Sequence, residues 1–559
     1  MSVDQSHSTA GDSEHGDGEI RTVSLVSLGC PKNLVDSEKM LGLLAQDGLR
    51  PISYDPGSPG AAGESDLDQR DRTDHGIDPA DAVVVNTCGF LEASKDESLA
   101  VIREAVRLKH AGVVKRVIVA GCLVQRHRAR MLEWEPGIDA MVGVFDRDRI
   151  VEAVRGRMPT REGLDSADTP RYWIAASALH AAKDRGLKTA GLTVNGKDGK
   201  GIGYFEDDSA RLRLTPRHYA YLRVSEGCNQ NCSFCTIPSI RGKMRSKPIE
   251  RIAAEAVELL NDGAFELSLI GQDTTSYGDD IGLGYDAGDP FAGGLPCMLR
   301  AVCRAVERDN STGWVRLMYA YPSNFADGMI DALAELCRDG PLLPYIDIPL
   351  QHASDRMLKA MRRNVTAGRQ EELIGTLRDR IPGMAVRTTF ITGFPGETED
   401  DHEQLLAFIE RVRFDAVGVF EYSPEPGTPA GTMDRDPELA VPAKVKARRR
   451  GQIMRLQQRI AFEQASFLAD AFDADRPTAS GHQFDVLIDR AVGEDERLHV
   501  HQGRTYFQAP QIDAVTFVRS HERLSPGELV RCVVVGSDGY DLIAQPIADF
   551  DRRTRLPIL

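Results

Sequence analysis

Apolar runs of strand length alternate with amphipathic stretches in the first third of the chain. The runs "RTVSLVSL" (residues 21–28), "DAVVVN" (81–86) and "KRVIVA" (115–120) are short and strongly apolar, and a helical pattern occupies residues 91–109. Runs of this length bounded by polar residues are typical of strands. The alternation of strand and helix predicts an open α/β domain with a mainly parallel sheet.

The middle of the chain repeats this alternation six times. Strand-like segments lie at residues 218–225, 266–271, 314–320, 345–350, 385–393 and 414–422, and helical patterns separate them, for example at 248–260, 295–307 and 398–411. Successive β/α units wind in one direction, and their working end lies at the carboxyl termini of the strands. The pattern therefore predicts a parallel (β/α) barrel, complete or partial, with polar residues gathered at that end.

A third pattern occupies residues 483–547, where short alternating strands are separated by glycine turns. This pattern predicts a small OB-like β-barrel. A barrel of this kind binds a ligand or only supports the core, and the sequence leaves both interpretations open.

These patterns divide the chain into seven parts. They are a disordered tail (residues 1–20), an N-terminal α/β domain (21–157), a linker with a low-complexity insertion (158–213), the barrel (214–445), a connecting helix (446–480), the small β-barrel domain (481–549) and a second tail (550–559). Residues 55–79 and 183–209 are rich in Gly and Asp without apolar periodicity, so we interpret them as insertions.

Composition narrows the class of protein. The 559 residues contain no run of 18 or more apolar residues, and residues 1–20 contain no Lys or Arg, which predicts a cytoplasmic protein without a membrane span or signal peptide. The net charge of −16 argues against a protein that coats nucleic acid and suits a basic partner. We interpret the basic runs at residues 241–247 and 444–450 as solvated faces.

Three cysteines directly follow the three N-terminal strands: Cys30 in "LGCPKN", Cys88 in "NTCGF" and Cys122 in "AGCLVQ". Ligands of open α/β sheets bind beyond the carboxyl ends of the strands, so we expect these thiols to converge at one edge. Free cysteine also serves as a small buried filler, and three inert thiols remain the alternative.

Three more cysteines, Cys228, Cys232 and Cys235, have C-x3-C-x2-C spacing in "EGCNQNCSFCTIPSIRG" (residues 226–242). A structural zinc site needs four ligands, and His218 is the only nearby histidine. A disulfide would leave one thiol over and needs an oxidising compartment. An iron–sulfur cluster is the third possibility, because three thiolates can hold a cubane whose fourth iron stays open.

The stretch "CNQNCSFC" (residues 228–235) resembles the signature of the radical S-adenosylmethionine (SAM) enzymes. A cysteine-bearing α/β domain before such a barrel, with a small TRAM domain after it, is the arrangement of the methylthiotransferase family, and the resemblance covers residues 21–547. It implies SAM and two 4Fe–4S clusters as cofactors. One cluster would be held by Cys30, Cys88 and Cys122, and the other by Cys228, Cys232 and Cys235.

The resemblance also implies contacts with SAM. The segments "IGQDTTSYG" (residues 270–278) and "ITGFPGE" (391–397) are similar to those that hold its methionine and adenosine parts. The implied cofactor-binding residues are Phe234, Gln272, Asp273, Gln351, Gly393 and Gly396. Plain βα turns are the alternative for these segments, and no catalytic acid or base is assigned.

Five stretches, among them "SLGCPKNLVDSE" (residues 27–38) and "CTIPSIRG" (235–242), resemble the branch of the family that thiolates the β-carbon of an aspartate in ribosomal protein S12. The alternatives are the branch that thiolates tRNA adenosine and a non-catalytic iron–sulfur carrier. The resemblance further implies an electron donor such as a flavodoxin or ferredoxin, a sulfur donor, and contact of the C-terminal domain with ribosomal RNA.

Overall fold

The computed structural model describes residues 19–52, 80–156, 172–173, 207–308, 312–495 and 498–554. The predicted N-terminal tail up to residue 18, the insertion at 55–79, almost all of the insertion at 183–209 and the last five residues lie outside the described residues. The described helices include none that is long and apolar enough to cross a membrane.

The first unit is a parallel sheet with strand order β2-β1-β3-β4-β5-β6. Its strands are β1 (Thr22–Ser27), β2 (Arg50–Pro51), β3 (Ala82–Thr87), β4 (Arg116–Gly121), β5 (Ala140–Val142) and β6 (Tyr172–Trp173); its helices are α1 (Pro31–Gln46), α2 (Glu92–His110), α3 (Cys122–His127), α4 (Arg130–Trp134) and α5 (Ile150–Arg155), with a 3-10 helix at Val144–Arg149. Alternate residues of each strand point to opposite faces. Val84 and Ile118 pack with α1 and α5, whereas Val83, Val85 and Val117 pack with α2.

The second unit is a parallel six-stranded sheet in the order β7-β10-β11-β12-β13-β14, wrapped by helices as an incomplete barrel. The strands of this sheet are β7 (Tyr219–Arg223), β10 (Glu266–Ile270), β11 (Trp314–Leu317), β12 (Leu342–Asp347), β13 (Ala385–Thr392) and β14 (Ala416–Glu421). Two further short strands, β8 (Ser225–Glu226) and β9 (Arg245–Ser246), lie outside it. Its helices are α6 (Ile237–Ile240), α7 (Ile249–Asn261), α8 (Gly294–Val306), α9 (Asp327–Asp339), α10 (Asp355–Ala360), α11 (Ala367–Arg380), α12 (Glu399–Val412) and α13 (Pro429–Met433), with a 3-10 helix at Pro322–Asn324. The short strands β8 and β9 pair only with each other, beside the cysteine loop.

A long helix, α14 (Ala443–Asp470), connects this sheet to a closed five-stranded barrel in the order β15-β16-β17-β19-β18. The barrel consists of β15 (Gln483–Asp495), β16 (Leu498–Arg504), β17 (Thr516–Ser520), β18 (Leu529–Asp538) and β19 (Asp541–Pro546), and α15 (Ile547–Thr554) follows it. Buried Arg504 joins the two units because it pairs with Glu266 at the start of β10. The fold class predicted from the sequence is confirmed: open α/β domain, partial (β/α) barrel and small OB-like β-barrel.

Candidate functional site

The N-terminal cysteines lie at the carboxyl ends of three adjacent strands. Cys30 precedes α1 after β1, Cys88 follows β3, and Cys122 begins α3 directly after β4. The loops pack closely: a Cβ atom on Gly29 (φ +91°) would lie 2.6 Å from the Cβ atom of Cys88. Only glycine accepts both that backbone conformation and that approach. Gly29 therefore brings the loop of Cys30 against Cys88, and the convergence of all three thiols stays a prediction.

The three N-terminal thiols influence one another electrostatically. Burial raises the pKa of Cys122 to about 12, the guanidinium of Arg241 lowers it, and Cys30 and Cys88 raise it further. Burial likewise raises the pKa of Cys88, with a further contribution from Cys30. The Oδ1 atom of Asn33 lies 3.5 Å from the Cys122 sulfur. A bound metal favours deprotonated thiolates and so offsets the effect of burial.

The barrel cysteines form a second group on the loop after β8. Burial raises the pKa of Cys228 and of Cys235 to about 12. Asp273 and the other two thiols of the triad raise the pKa of Cys228 further, and Cys232 raises that of Cys235. The backbone N–H of Gln230 donates to the Cys228 sulfur at 3.4 Å, and an Arg363 nitrogen lies 3.6 Å from the Cys232 sulfur. Donors aimed at sulfur stabilise thiolates and tune the potential of a cluster.

The donor set of each triad fits an iron–sulfur cluster, since both consist of cysteine sulfurs. Each thiolate of a cubane binds a different iron, so its cysteines do not need to converge on one point. Within the described ranges, no group of three or more His, Cys, Asp or Glu side chains lies close enough to hold a single metal ion. His218, which the zinc alternative would have used, contacts Asp489 at 2.7 Å.

Gly227 sets the start of the barrel cysteine loop. It has φ +74°, and a Cβ atom there would lie 2.3 Å from the carbonyl oxygen of Lys243. We expect Gly227→Ala to reduce the iron bound after anaerobic reconstitution by about half, because only one of the two clusters is affected. Gly112→Ala is the matched control: its φ is +75° and its Cβ position meets nothing within 4 Å. Equal iron content in the two variants would contradict this prediction.

Five of the six residues predicted to contact SAM follow β10, β12 and β13, and the sixth, Phe234, lies on the cysteine loop. Asp273 is buried and accepts hydrogen bonds from Gln230 at 2.8 Å, Thr275 at 2.7 Å and Ser276 at 2.8 Å. This carboxylate ties the SAM segment after β10 to the cysteine loop. Its contacts therefore hold together two parts of the predicted site.

Gln351, Gly393 and Gly396 all adopt positive φ angles, of +73°, +73° and +84°. A Cβ atom on Gly393 would lie 2.3 Å from the side chain of Lys446, so glycine is required there. The backbone N–H of Gln351 donates to Thr389 at 2.9 Å. The three residues thus form tight turns at the working end of the sheet.

Phe234 and Gln272 are held in different surroundings. Phe234 lies in the cysteine loop itself, between Cys232 and Cys235, and is partly buried against Met357, Phe394 and Tyr422. The Gln272 amide accepts from Lys32 at 2.6 Å and donates to Glu226 at 2.8 Å, so both of its ends bind protein groups. In this structure Gln272 therefore joins the two units, and its predicted contact with SAM stays a prediction.

A buried ion network lies between the first two units, and the sequence patterns did not predict it. We call it the interdomain ion network; it consists of Lys32, Asp36, Arg147, Asp208, Arg223, Glu226 and Arg241. Asp36 on α1 accepts from Arg147 at 2.9 Å, from Arg223 at 2.9 Å and from Arg241 at 3.1 Å. One carboxylate thus holds two arginines of the barrel against the N-terminal domain.

Glu226 is the second carboxylate of the interdomain ion network. It lies two residues before Cys228 and accepts from Arg223 at 2.7 Å and from Arg241 at 3.0 Å. Burial alone would raise its pKa, but Arg241, Lys32 and Arg223 hold the pKa well below its usual range. Arg241 also donates to Asn33 at 2.6 Å, beside the N-terminal thiols. The network therefore runs from one cysteine triad to the other.

The interpretation of residues 241–247 as a solvated face is wrong for three of its basic residues. Arg241 is 1% exposed, and Arg245 and Lys247 are each 2% exposed. Lys247 pairs with Asp208 at 2.9 Å, and Arg245 lies 5.1 Å from the centroid of the Phe145 ring. In the run at 444–450, Lys446 and Arg449 are also buried. The basic residues are evident in the sequence, but their acidic partners lie up to 205 positions away from them.

Comparisons with known proteins assign each unit to a family. The radical SAM superfamily profile matches residues 222–409, a TRAM domain profile matches 481–547, and the profile of uncharacterized protein family UPF0004 matches 67–143. A solved radical S-adenosylmethionine methyltransferase, TsrM from Kitasatospora setae, aligns with 74% of this chain and 77% of its own at 16% identity and a TM-score of 0.49.

Two relatives that match nearly the whole chain share one description. The ribosomal protein uS12 methylthiotransferase RimO of Anaeromyxobacter sp. (strain Fw109-5) is 36% identical over 96% of this chain and 95% of its own. That of Koribacter versatilis (strain Ellin345) is 35% identical over 95% and 97%. The resemblance predicted from the cysteine motifs is thereby confirmed, and the chain belongs to the ribosomal protein uS12 methylthiotransferase family of radical SAM enzymes.

Proposed function

We propose that the chain inserts a methylthio group at the β-carbon of an aspartate in ribosomal protein S12. The observation that carries this proposal is the pair of cysteine triads at the ends of two parallel sheets, joined by the interdomain ion network. The relatives support the choice of substrate, since they match 94% or more of this chain at 35% identity or more.

The proposed cofactors are SAM and two 4Fe–4S clusters. Cys228, Cys232 and Cys235 would hold the barrel cluster, and Cys30, Cys88 and Cys122 would hold the auxiliary one. When bound, these groups would supply a 5′-deoxyadenosyl radical that takes hydrogen from the substrate carbon and the sulfur that replaces it. An open iron in each cluster follows from having three protein thiolates rather than four.

The chain's own residues position these groups and keep water away from them. Buried Asp273 holds Gln230 and so orders the cysteine loop. The turns at Gly393 and Gly396, with φ +73° and +84°, shape the backbone at the end of β13, where ligands of such sheets bind. Phe234 anchors the cysteine loop by packing against Met357, Phe394 and Tyr422. We propose these residues, with Gln272 and Gln351, as the SAM-binding set.

The remaining partners follow from the same proposal. A protein electron donor such as a flavodoxin or ferredoxin and a separate sulfur donor would serve the reaction, and the TRAM domain at residues 481–547 would contact ribosomal RNA. The substrate is a ribosomal protein, so we place the enzyme in the cytoplasm. The chain's net charge of −16 suits a basic substrate.

Mass spectrometry of S12 tests the function directly. In a strain that lacks the gene, we expect the aspartate of S12 to lack the methylthio group and tRNA adenosine modification to be unchanged. Complementation with the wild-type gene should restore the mass shift on S12, and complementation with Cys228→Ala should not. Loss of a tRNA modification with S12 intact would instead assign the chain to the other branch of the family.

A further inference from the structure

Two adjoining cavities run beside the barrel cysteines. Their volumes are about 750 Å³ and 1010 Å³, and they share Gln230, Asn231 and Arg362. The first cavity is also lined by Cys232 and Cys235. We call the two cavities together the basic groove. The groove gives a partner molecule access to the loop that would hold iron.

Cations outnumber carboxylates along the basic groove. The cations are Lys95, Arg126, Arg130, Lys359, Arg362, Arg363 and Arg369, and the carboxylates are Glu92 and Asp355. The chain as a whole has the opposite balance, with 84 acidic and 68 basic residues. A surface region of one sign accelerates encounter with an oppositely charged partner. The groove is therefore suited to an acidic partner, whereas a basic ribosomal protein would be repelled.

Some of these cations already have partners within the chain. Arg126 pairs with Glu425 at 2.7 Å, Lys95 pairs with Glu92, and Arg369 pairs with Glu372 at 2.7 Å. Lys359 and Arg362 differ from them: both are exposed, and neither has an ion-pair partner among the residues that the structure describes. Their charges remain available to a docking molecule.

Arg362 has an unusual backbone conformation at the end of α10. Its φ is +56°, in the left-handed region that glycine adopts at least cost after a helix. An arginine in this conformation costs about 1 kcal/mol relative to glycine. Its side chain lines both cavities, and its neighbour Arg363 lies 3.6 Å from the Cys232 sulfur and 4.0 Å from the Tyr321 ring centroid. Two adjacent residues, Arg362 and Arg363, thus connect the groove surface with the thiol of Cys232.

We propose that the basic groove is the docking surface of an acidic one-electron carrier protein. The inference rests on the proposed function, in which iron held by Cys228, Cys232 and Cys235 must accept an electron. One electron leaves the reduced carrier and is accepted at that iron; no bond forms or breaks, and no proton is transferred. Electron transfer requires close approach to these thiols, whereas binding of RNA does not, so the position of the groove favours a redox partner.

A binding measurement tests the docking surface without turnover. The test variant is Lys359→Glu/Arg362→Glu, and the matched control is Arg103→Glu/Arg304→Glu, which reverses two exposed arginines outside the groove. Titration calorimetry with a purified acidic flavodoxin is expected to show a Kd about tenfold or more higher for the test variant, and little change for the control. The difference should shrink as ionic strength rises, because salt screens exposed charges.

Turnover with two reductants separates docking from chemistry. With reduced flavodoxin, the test variant should form 5′-deoxyadenosine about tenfold more slowly than wild type at low salt. With dithionite, which needs no docking surface, test variant, control and wild type should react at the same rate. A wild type that forms no 5′-deoxyadenosine with dithionite would contradict the proposed function, whereas the calorimetry still decides whether the groove binds the carrier.

Three results would overturn the docking proposal. The first is an equal Kd for the test and control variants. The second is an unchanged flavodoxin Kd together with lost binding of an RNA oligonucleotide, which would assign the groove to RNA. The third is a dithionite-driven rate that falls as much as the flavodoxin-driven rate, because Lys359 and Arg362 would then act in the cleavage itself.

Discussion

Cys232→Ala is expected to abolish the formation of 5′-deoxyadenosine from SAM, whereas Cys88→Ala is expected to leave it intact and to block only the insertion of sulfur. The reason is the separation of the two triads: Cys228, Cys232 and Cys235 lie on one loop after β8, whereas Cys30, Cys88 and Cys122 follow β1, β3 and β4 of another sheet. Each substitution removes a thiolate from one triad only.

The measurement compares two products in the same reaction. Chromatography of the small molecules gives 5′-deoxyadenosine, and mass spectrometry of an S12 substrate gives the methylthio group. Each variant should retain about four of the eight irons expected for two clusters, which confirms that the other cluster is intact. Cys532→Ala is the control, since this thiol is buried in the small barrel. Equal loss of SAM cleavage in the Cys232 and Cys88 variants would refute the division of labour.

Three of the six strands in the N-terminal sheet could be predicted because their signals are local, whereas the short strands β2, β5 and β6 were not predicted. Each apolar run ends within one residue of the end of β1, β3 or β4, and Cys30, Cys88 and Cys122 lie within three residues after these strands. The helix at 398–411 is also local: α12 begins with a capping box between Thr398 and Asp401. A short stretch of sequence contains the whole physical cause of such elements.

The interdomain ion network could not be predicted because its causes are far apart in the sequence. Asp36 and Arg241 are separated by 205 positions, and nothing near either residue indicates the pairing. A charged side chain is almost always exposed unless it is paired, so a basic run whose partners are distant in the sequence is interpreted as solvated even where it is buried. Gln272 shows the same difficulty, since its contacts with Lys32 and Glu226 depend on how the two units pack.

The position of this network gives it a mechanical role as well as a structural one. Arg241 contacts Asp36 and Asn33 on the N-terminal side and Glu226 on the barrel side. Residues on α1 follow Cys30, and Glu226 precedes Cys228, so the network fixes the strand ends that carry the two triads. In the proposed reaction, sulfur would pass from one site to the other, which requires that these ends keep their relative position, because small displacements of reacting groups reduce rates strongly.

Asp36→Asn is therefore expected to lower the free energy of unfolding by about 3 kcal/mol or more, since removing one partner of a buried pair leaves uncompensated buried charge. Three arginines lose their shared carboxylate in this variant. Asp47→Asn is the matched control: Asp47 caps the same helix and pairs with Arg155 at 2.7 Å, but its side chain is 37% exposed. Exposed pairs contribute about 0–1 kcal/mol, so this control should lose no more than that.

The functional consequence of Asp36→Asn should be selective. The barrel cysteines keep their loop, so 5′-deoxyadenosine formation with dithionite should persist, while methylthio insertion into S12 should fall about tenfold or more because the two triads lose their fixed relation. Chemical denaturation of both variants, together with the two product assays, measures these effects. If Asp36→Asn and Asp47→Asn unfold at the same denaturant concentration, or if product insertion keeps pace with SAM cleavage, the interdomain ion network does not hold the two triads in register.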